Sequence, residues 1–452
     1  MRVIVVGGGV SGLTVAWALS REPGFDVTLF ESSGRIGGKV RSERVEGYLC
    51  EWGVNGFLDK EPKTIEVSEA LSISPVRSSD ASRVRYICSG GRLHRLPETP
   101  GAFLASGLMS VLGKLRLAME PFIAKGNLED ESLADFGRRR LGREAFQMLI
   151  DPMASGIYAG DPEKLSLKSC FKRINELEQT YGSLIKAMVS LMKERKKNVG
   201  AGPTGTLTSF GGGMHELTDA LYAALDGQVR LLREVLSVEK TPSGWGLHLA
   251  DGSVAESDAV VLAAPAHKAS GMLFELEPDT SKVFGNIPYP PLSVVALGFK
   301  AEGLGVDVDA FGFLVPFREG RKVLGTLYDS SIFPNRAPEG KVLLRSMAGG
   351  VRAPEIAELP EQALIETVLA ELRSITGLKA EPEFAKSFLH KKAIPQYNVG
   401  HFKVLDALAE TEARHKGLYI TGNAFRGVSL NDCVASGLRL AERMRDELLP
   451  SK

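Results

Sequence analysis

The sequence predicts an α/β chain: a Rossmann-type dinucleotide-binding domain assembled from separate stretches, a mixed-sheet part and a helical part. Three observations carry this. Residues 3–6 form an apolar run that reads as a buried parallel strand and enters Gly7, Gly9 and Gly12 with GxGxxG spacing. A second glycine cluster, Gly34-Arg35-Ile36-Gly37-Gly38, follows the next strand at once. A third glycine turn, Thr421-Gly422-Asn423, lies near the C-terminus. Motifs at both ends of a 452-residue chain suit one extended ligand lying across a domain built from both termini.

Each element has a local reason. Residues 13–20 read as a helix, and residues 26–30 as a second strand ending on Glu31. Gly7 makes the tight turn, Gly9 lets the backbone approach a pyrophosphate, and Gly12 lets helix pack on strand. Gly8, Val10 and Ser11 complete a loop whose helix N-terminus offers free N–H groups to phosphates. Glu31, with Ser32 beside it, can accept ribose hydroxyls and would repel a 2′-phosphate. Arg35 can pair with phosphate charge.

The nucleotide domain is expected to take residues 1–75, 205–275 and 405–452. In the middle stretch, residues 208–214 open a helix over 215–225, and residues 229–238 read as a strand. Residues 245–249 and Val254 form a hairpin around Asp251-Gly252. Residues 258–265 read as a buried strand ending at the ligand, and residues 418–420 as a last strand before a final helix. Residues 90–195 have helical spacing of Leu, Met and Phe. Within them, residues 108–124 fit both an amphipathic helix on a membrane surface and an ordinary half-buried helix. Lys193 to Lys197 and the following Asn198-Val199-Gly200-Ala201-Gly202-Pro203 read as a solvated basic loop. Residues 76–89 and 285–405 make the third part, an antiparallel sheet that would hold substrate.

The composition excludes several classes. Formal net charge is zero and 24% of residues are charged, so no global field favours nucleic acid. Four widely spaced cysteines, Cys50, Cys88, Cys170 and Cys433, make neither a metal pattern nor a disulfide framework. They suit a reducing compartment, so a cytoplasmic location is expected. The first apolar run is too short for a signal-peptide core, and no window approaches the roughly twenty apolar residues of a spanning helix.

Glu31-Ser32-Ser33-Gly34-Arg35-Ile36-Gly37-Gly38 resembles the matching stretch of the FAD-dependent amine oxidase and desaturase superfamily. Interior runs narrow the resemblance to the protoporphyrinogen oxidase family. They are Ser155-Gly156-Ile157-Tyr158-Ala159-Gly160-Asp161-Pro162, Leu324-Gly325-Thr326-Leu327 with Ile332-Phe333-Pro334-Asn335-Arg336-Ala337-Pro338, Ile394-Pro395-Gln396-Tyr397-Asn398-Val399-Gly400-His401, and Gly427-Val428-Ser429-Leu430-Asn431-Asp432-Cys433. The match spans essentially the whole chain, and bacterial soluble-type members are nearest in pattern.

The resemblance implies FAD as cofactor and six-electron oxidation of protoporphyrinogen IX to protoporphyrin IX in haem synthesis. Dioxygen would be the acceptor and hydrogen peroxide the by-product. Some bacterial members oxidise coproporphyrinogen III instead. The implied cofactor residues are Gly38 and Lys39, the loop Gly53-Val54-Asn55-Gly56, Val235 at the adenine, His390, Gly422, Asn423, Val428, Ser429 and Leu430. For substrate, Arg85 matches a propionate-binding Arg. Leu314 and Leu327 match an aliphatic pair that sandwiches a pyrrole ring, with Met347 opposite and Gly156 nearby. On the residues alone, Arg85 is one surface Arg among several, and the leucines are strand core.

Two departures stand out. His390 occupies a position where the family often has Trp; it could hydrogen-bond the flavin edge or simply fill space. Val54 replaces a Pro, which leaves that loop less restrained. The chain shows no Ser-His-Asp set and no metal cluster, as suits chemistry carried by a cofactor. Rival readings are an amine oxidase or desaturase and a flavin-free escort protein. Retention of Glu31, Arg35, Gly37 and Gly38 opposes the escort. The resemblance further implies attachment to the inner face of the cell membrane, a homodimer, and handover of product to ferrochelatase.

Overall fold

The computed structural model describes residues 1–194 and 205–449; the expected basic loop falls largely outside them. Five parallel strands form one sheet. In spatial order they are Val229–Arg230, Asp26–Phe30, Arg2–Val6, Ala259–Leu262 and Leu418–Ile420. N-terminal, middle and C-terminal stretches therefore share one sheet. Its central strands are covered on both faces and read as continuous apolar runs. Val3, Val5 and Val261 pack beneath helices Val10–Ser20, His215–Ala224 and Leu430–Leu448. Ile4, Val6, Val260 and Leu262 pack on Trp245, Leu247 and helix Ala266–Leu273.

The first helix starts at Val10, three residues before the sequence predicts, because Gly9 itself is the N-cap. The run over 229–238 is not one strand. It breaks at Leu232, which is left-handed (φ 56°) and 74% exposed. Strand Val235–Thr241 then joins a separate sheet with Gly244–Leu249 and Val254–Ser257.

Seven strands form the largest sheet, in spatial order Phe384–His390, Leu292–Lys300, Lys341–Gly349, Val323–Leu327, Gly312–Leu314, Arg85–Ser89 and Arg92–Arg95. All neighbours are antiparallel except Gly312–Leu314 with Arg85–Ser89. Arg92–Arg95 is thus an edge strand here and not part of the helical region, which begins at Pro100. Pro75–Arg77 pairs instead with Leu207–Phe210. One face of the large sheet packs on helix Glu361–Thr376 through Leu364, Val368 and Leu372. The other turns towards Tyr48 and Cys50.

The helical region packs around Phe136, Met148 and Tyr158. Fully buried Arg140 donates to Glu178 and, at 2.7 Å, to Ile123 O. The stretch 108–124 is not one helix: only Val111–Ala118 is α-helical, and Glu120–Phe122 is a 3-10 turn. Pro121 ends the helix, because it has no N–H for the next intrahelical bond and disfavours the α conformation at Glu120. The buried Glu120 carboxylate accepts the Leu184 and Ile185 N–H groups at 2.9 and 3.1 Å and caps another helix. Among the described residues no helix is long and apolar enough to cross a membrane.

Candidate functional site

The nucleotide cradle is built from two glycine segments in contact. Gly7 has φ 112°, and a Cβ there would lie 2.9 Å from Ala263 O. A Cβ on Gly12 would lie 2.0 Å from Gly7 O, so only glycine permits that helix–strand approach. A Cβ on Gly9 would meet no protein atom; the space above it is open. Gly37 donates its N–H to Gly8 O at 2.7 Å, and Gly38 would carry a Cβ 3.2 Å from the Gly9 Cα. The helix behind this loop has no side-chain cap and no acid in its first turn, which leaves its N–H groups for an anion.

Glu31 closes the cradle. Its Oε2 accepts the Gly8 N–H at 2.7 Å, and its Oε1 accepts the N–H and hydroxyl of Ser33 at 2.8 and 2.7 Å. A carboxylate has about four acceptor sites, so room remains for a hydroxyl. Ser32 is exposed beside it. Arg35 folds over the loop and donates to Gly38 O at 2.9 Å. Desolvation, then Arg41, lowers its pKa, and a phosphate would relieve both. Val235 is buried at the start of its strand, two residues beyond Arg233, whose N–H donates to Glu31 O at 2.9 Å.

Segments distant in sequence meet beyond the cradle. A Cβ on Gly53 would lie 3.6 Å from Lys39 O and 4.0 Å from the His390 Nε2. His390 Nε2 lies 2.8 Å from Trp52 O. A carbonyl can only accept, so this nitrogen carries the proton. Burial lowers the pKa of His390, outweighing the Trp52 hydrogen bond. Lys39 donates to Ala393 O, lies 5.0 Å from the Tyr289 ring centre, and is held by burial at a pKa of about 8. Val54 packs into the core of the parallel sheet, so the missing Pro is replaced by apolar contact. Both polar side-chain atoms of Asn55 are buried without a partner. Gly422 turns with φ 131°, and Ser429 caps the last helix in a reciprocal box with Asp432. Val428 packs against the helical core and Leu430 against the parallel sheet. The open space at Gly9, the uncapped helix and the orphaned Asn55 amide all fit FAD.

The large sheet places the expected substrate residues on one face. Residues directly opposite each other in a sheet share a face. One row runs Phe388, Val294, Met347, Gly325, Leu314, Ile87. The next same-face row runs Ala296, Arg345, Leu327, Gly312, Arg85. Leu314 and Met347 therefore flank Gly325, two strand spacings or roughly 10 Å apart. Arg85 and Leu327 flank Gly312 in the same way. Helix Asp151–Tyr158 crosses above: a Cβ on Gly156 would lie 2.8 Å from the Leu314 Cδ2. Arg85 makes no ion pair among the described residues. Its Nε is buried without a partner and its guanidinium lies 4.9 Å from the Phe311 ring centre. Burial lowers its pKa, with Glu98 acting weakly against that. At the other end of this face, Arg345 donates to Gly53 O at 2.8 Å and to Asp329 at 2.7 Å, holding the 53–56 loop over the sheet.

The model of flavin-containing amine oxidoreductases matches residues 10–445. The chain belongs to that family. It is a flavoprotein oxidoreductase. It is 35% identical to a chloroplastic protoporphyrinogen oxidase of Oryza sativa subsp. japonica, over 98% of this chain and 88% of that protein. It is 31% identical to the coproporphyrinogen III oxidase of Bacillus subtilis (strain 168), over 96% of each chain. A crystal structure from Exiguobacterium sp. 255-15, provisionally named a protoporphyrinogen oxidase, superposes with TM-score 0.84 at 26% identity over 99% of both chains.

Sequence reading missed Arg345, Lys39's partner Tyr289, and Tyr397. The Tyr397 hydroxyl donates to Asn423 O at 2.6 Å and accepts the Gly427 N–H at 2.9 Å, bolting the C-terminal glycine turn. Tyr397 lies in a run that resembles the family, but nothing local shows which loop it reaches.

Proposed function

We propose that this flavoenzyme oxidises protoporphyrinogen IX to protoporphyrin IX. One observation carries the reading: an apolar sheet face, notched by Gly325 and Gly312, ends on a half-buried cation, Arg85, that makes no ion pair among the described residues. A flat apolar macrocycle with propionates is the matching shape. FAD, when bound, supplies the acceptor for hydride. The chain's own task is placement. Arg85 holds a propionate, Leu314, Leu327 and Met347 hold pyrrole rings, and Gly156 roofs the slot. Arg345 and His390 fix the 52–56 loop against the same face, and with FAD held by this loop the face would present the carbon to be oxidised to it. Dioxygen is the proposed acceptor, with hydrogen peroxide released.

A second reading is coproporphyrinogen III oxidation, favoured by the full-length similarity to the Bacillus subtilis enzyme. Purified protein should show flavin absorption and turn over one porphyrinogen faster when both are assayed side by side by porphyrin fluorescence. Turnover of neither would refute the proposal.

The surface supports peripheral attachment to a membrane. Val111, Leu112, Leu115, Met119 and Phe122 are all more than half exposed. The basic residues of this helix turn inward instead: Lys114 donates to Leu104 O and Ser106 O, and Arg116 to Arg139 O. An apolar face towards solvent suits a lipid interface. Sedimentation with anionic vesicles, lost in Leu112→Glu, is the test. A homodimer and handover of product to a ferrochelatase complete the proposal, read by light scattering and by pull-down.

A further inference from the structure

Two elements wall the slot, helix Asp151–Tyr158 through Gly156 and strand Gly312–Leu314 through Leu314. One side chain joins the immediate neighbours of both wall residues. Arg352, in the turn after strand Lys341–Gly349, donates Nη1 to Val315 O at 3.0 Å, next to Leu314. Its Nη2 donates to the hydroxyl of Ser155, next to Gly156, and to Asp151 Oδ1 at 2.5 Å, at the start of the helix. Asp151 Oδ2 in turn accepts the Phe317 N–H at 2.6 Å. The adjacent Val351 N–H donates to Ala159 O at 2.8 Å, so this turn holds the helix at both ends. The Arg352 and Asp151 side chains are 10% and 6% exposed, so water does not loosen the clasp. A planar guanidinium fixes the angle between its acceptors, which an ammonium does not.

We propose that Arg352 is a positioning residue that holds Gly156 against Leu314, where a Cβ on Gly156 would already lie 2.8 Å from the Leu314 Cδ2, and so sets where Leu314 stands in the slot. The partners of Arg352 are Val315 O, Asp151 and Ser155, so it acts on the wall residues through their neighbours. The inference rests on the porphyrinogen reading for its ligand, but the clasp itself can be read without one.

Two measurements on the FAD-loaded protein test it. The first is amide hydrogen exchange without porphyrin. In Arg352→Gln, exchange should rise together at residues 153–158 and 314–317. Unchanged exchange in either segment overturns the proposal whatever the substrate is. The second is a double-mutant cycle on protoporphyrin IX affinity. Gly156→Ala drives a methyl into Leu314; with the clasp intact helix and strand cannot part, so Leu314 is pushed into the slot and affinity should fall about tenfold or more. With the clasp cut, the same substitution should cost about threefold or less, because the walls can part. Additive effects overturn the proposal, since a merely structural Arg352 would lower the melting temperature without coupling to Gly156. Should Arg352→Gln fail to fold, leaving Asp151 buried without a cation, Arg352→Lys keeps the charge and loses the fork, and the same two readings apply. Wild-type protein that binds neither protoporphyrin nor coproporphyrin refutes the porphyrinogen reading alone; the exchange result still decides the clasp.

Discussion

Tyr397→Phe removes one oxygen and leaves the ring in place. That ring is 1% exposed and stacks on His401 with centroids 4.0 Å apart and planes 13° from parallel. Phe keeps this packing. The lost hydroxyl orphans Asn423 O and the Gly427 N–H, which it now bridges at 2.6 and 2.9 Å. An orphaned buried group costs about 1–3 kcal/mol. Both groups are only half-buried, so the lower end applies to each and the pair costs about 2 kcal/mol. This cost falls on the turn over 422–429. If that turn must be ordered to hold FAD, the dissociation constant should rise about thirtyfold, since about 1.4 kcal/mol is tenfold. Global melting should fall by a few degrees or less, because the sheets are untouched. The assay is FAD titration of apoprotein by flavin fluorescence, with amide exchange read at residues 423–427. An FAD affinity within about twofold of wild type, with unchanged exchange in that turn, would refute the reasoning.

Arg85→Ala should raise KM for porphyrinogen about tenfold or more while flavin content stays intact, as expected for a charge-assisted contact made in ground and transition states alike; unchanged steady-state constants would remove it from the site. Glu31→Arg should weaken FAD retention by roughly 1.5–3 kcal/mol, and equilibrium dialysis showing unchanged affinity would count against the ribose role. Lys39 supplies a pH test on apoprotein. Its folded pKa, about 8, lies below the usual lysine value, so the unfolded chain binds more protons between these pH values and stability rises with pH across that window. Denaturant titrations at pH 7.5 and 10.5 should show this rise, up to about 3 kcal/mol, flattened in Lys39→Met; parallel pH profiles for the two proteins would refute it.

What the sequence shows and what it hides follow one physical division. The glycine loop, the strand ending on Glu31 and the hairpin at Gly252 are legible because their constraints are local. A tight turn, a left-handed residue or a helix start needs only its neighbours. The break at Leu232 is illegible for the converse reason: no glycine, proline or asparagine marks it. The site face is harder still. Every residue but the last in strand Leu292–Lys300 is buried, so the alternation that would reveal its two faces is absent. Register across four strands decides that Arg85, Leu327, Leu314 and Met347 share a side, and register is a property of pairing. Family resemblance supplied those positions without the reason for them. Arg345 and Gly53 lie 292 residues apart, and nothing near either announces the other.

The contacts missed in the sequence share a chemical character. Arg345 to Gly53 O, Arg352 to Val315 O and Tyr397 to Asn423 O are side-chain donors reaching backbone carbonyls of site loops. Apolar packing alone would let such loops slide, because dispersion and the hydrophobic effect have little directional preference. A hydrogen bond to a carbonyl has a preferred length and angle. A buried Arg contributes little net stability once its desolvation is counted, as for the Arg345–Asp329 pair, so its value here lies in geometry. That is the requirement of an enzyme whose cofactor carries the reaction. The reacting carbon and the cofactor must meet at a fixed distance, and small misplacements are costly in rate. In the proposed reading the loops that would set this distance are residues 52–56, 314–317 and 422–429, far apart in the chain, and each takes a directional bond from the surrounding scaffold. Loss of the Tyr397 hydroxyl should therefore affect binding constants more than melting temperature, whereas removing Arg345 or Arg352 also leaves a buried carboxylate, Asp329 or Asp151, without its cation and lowers both.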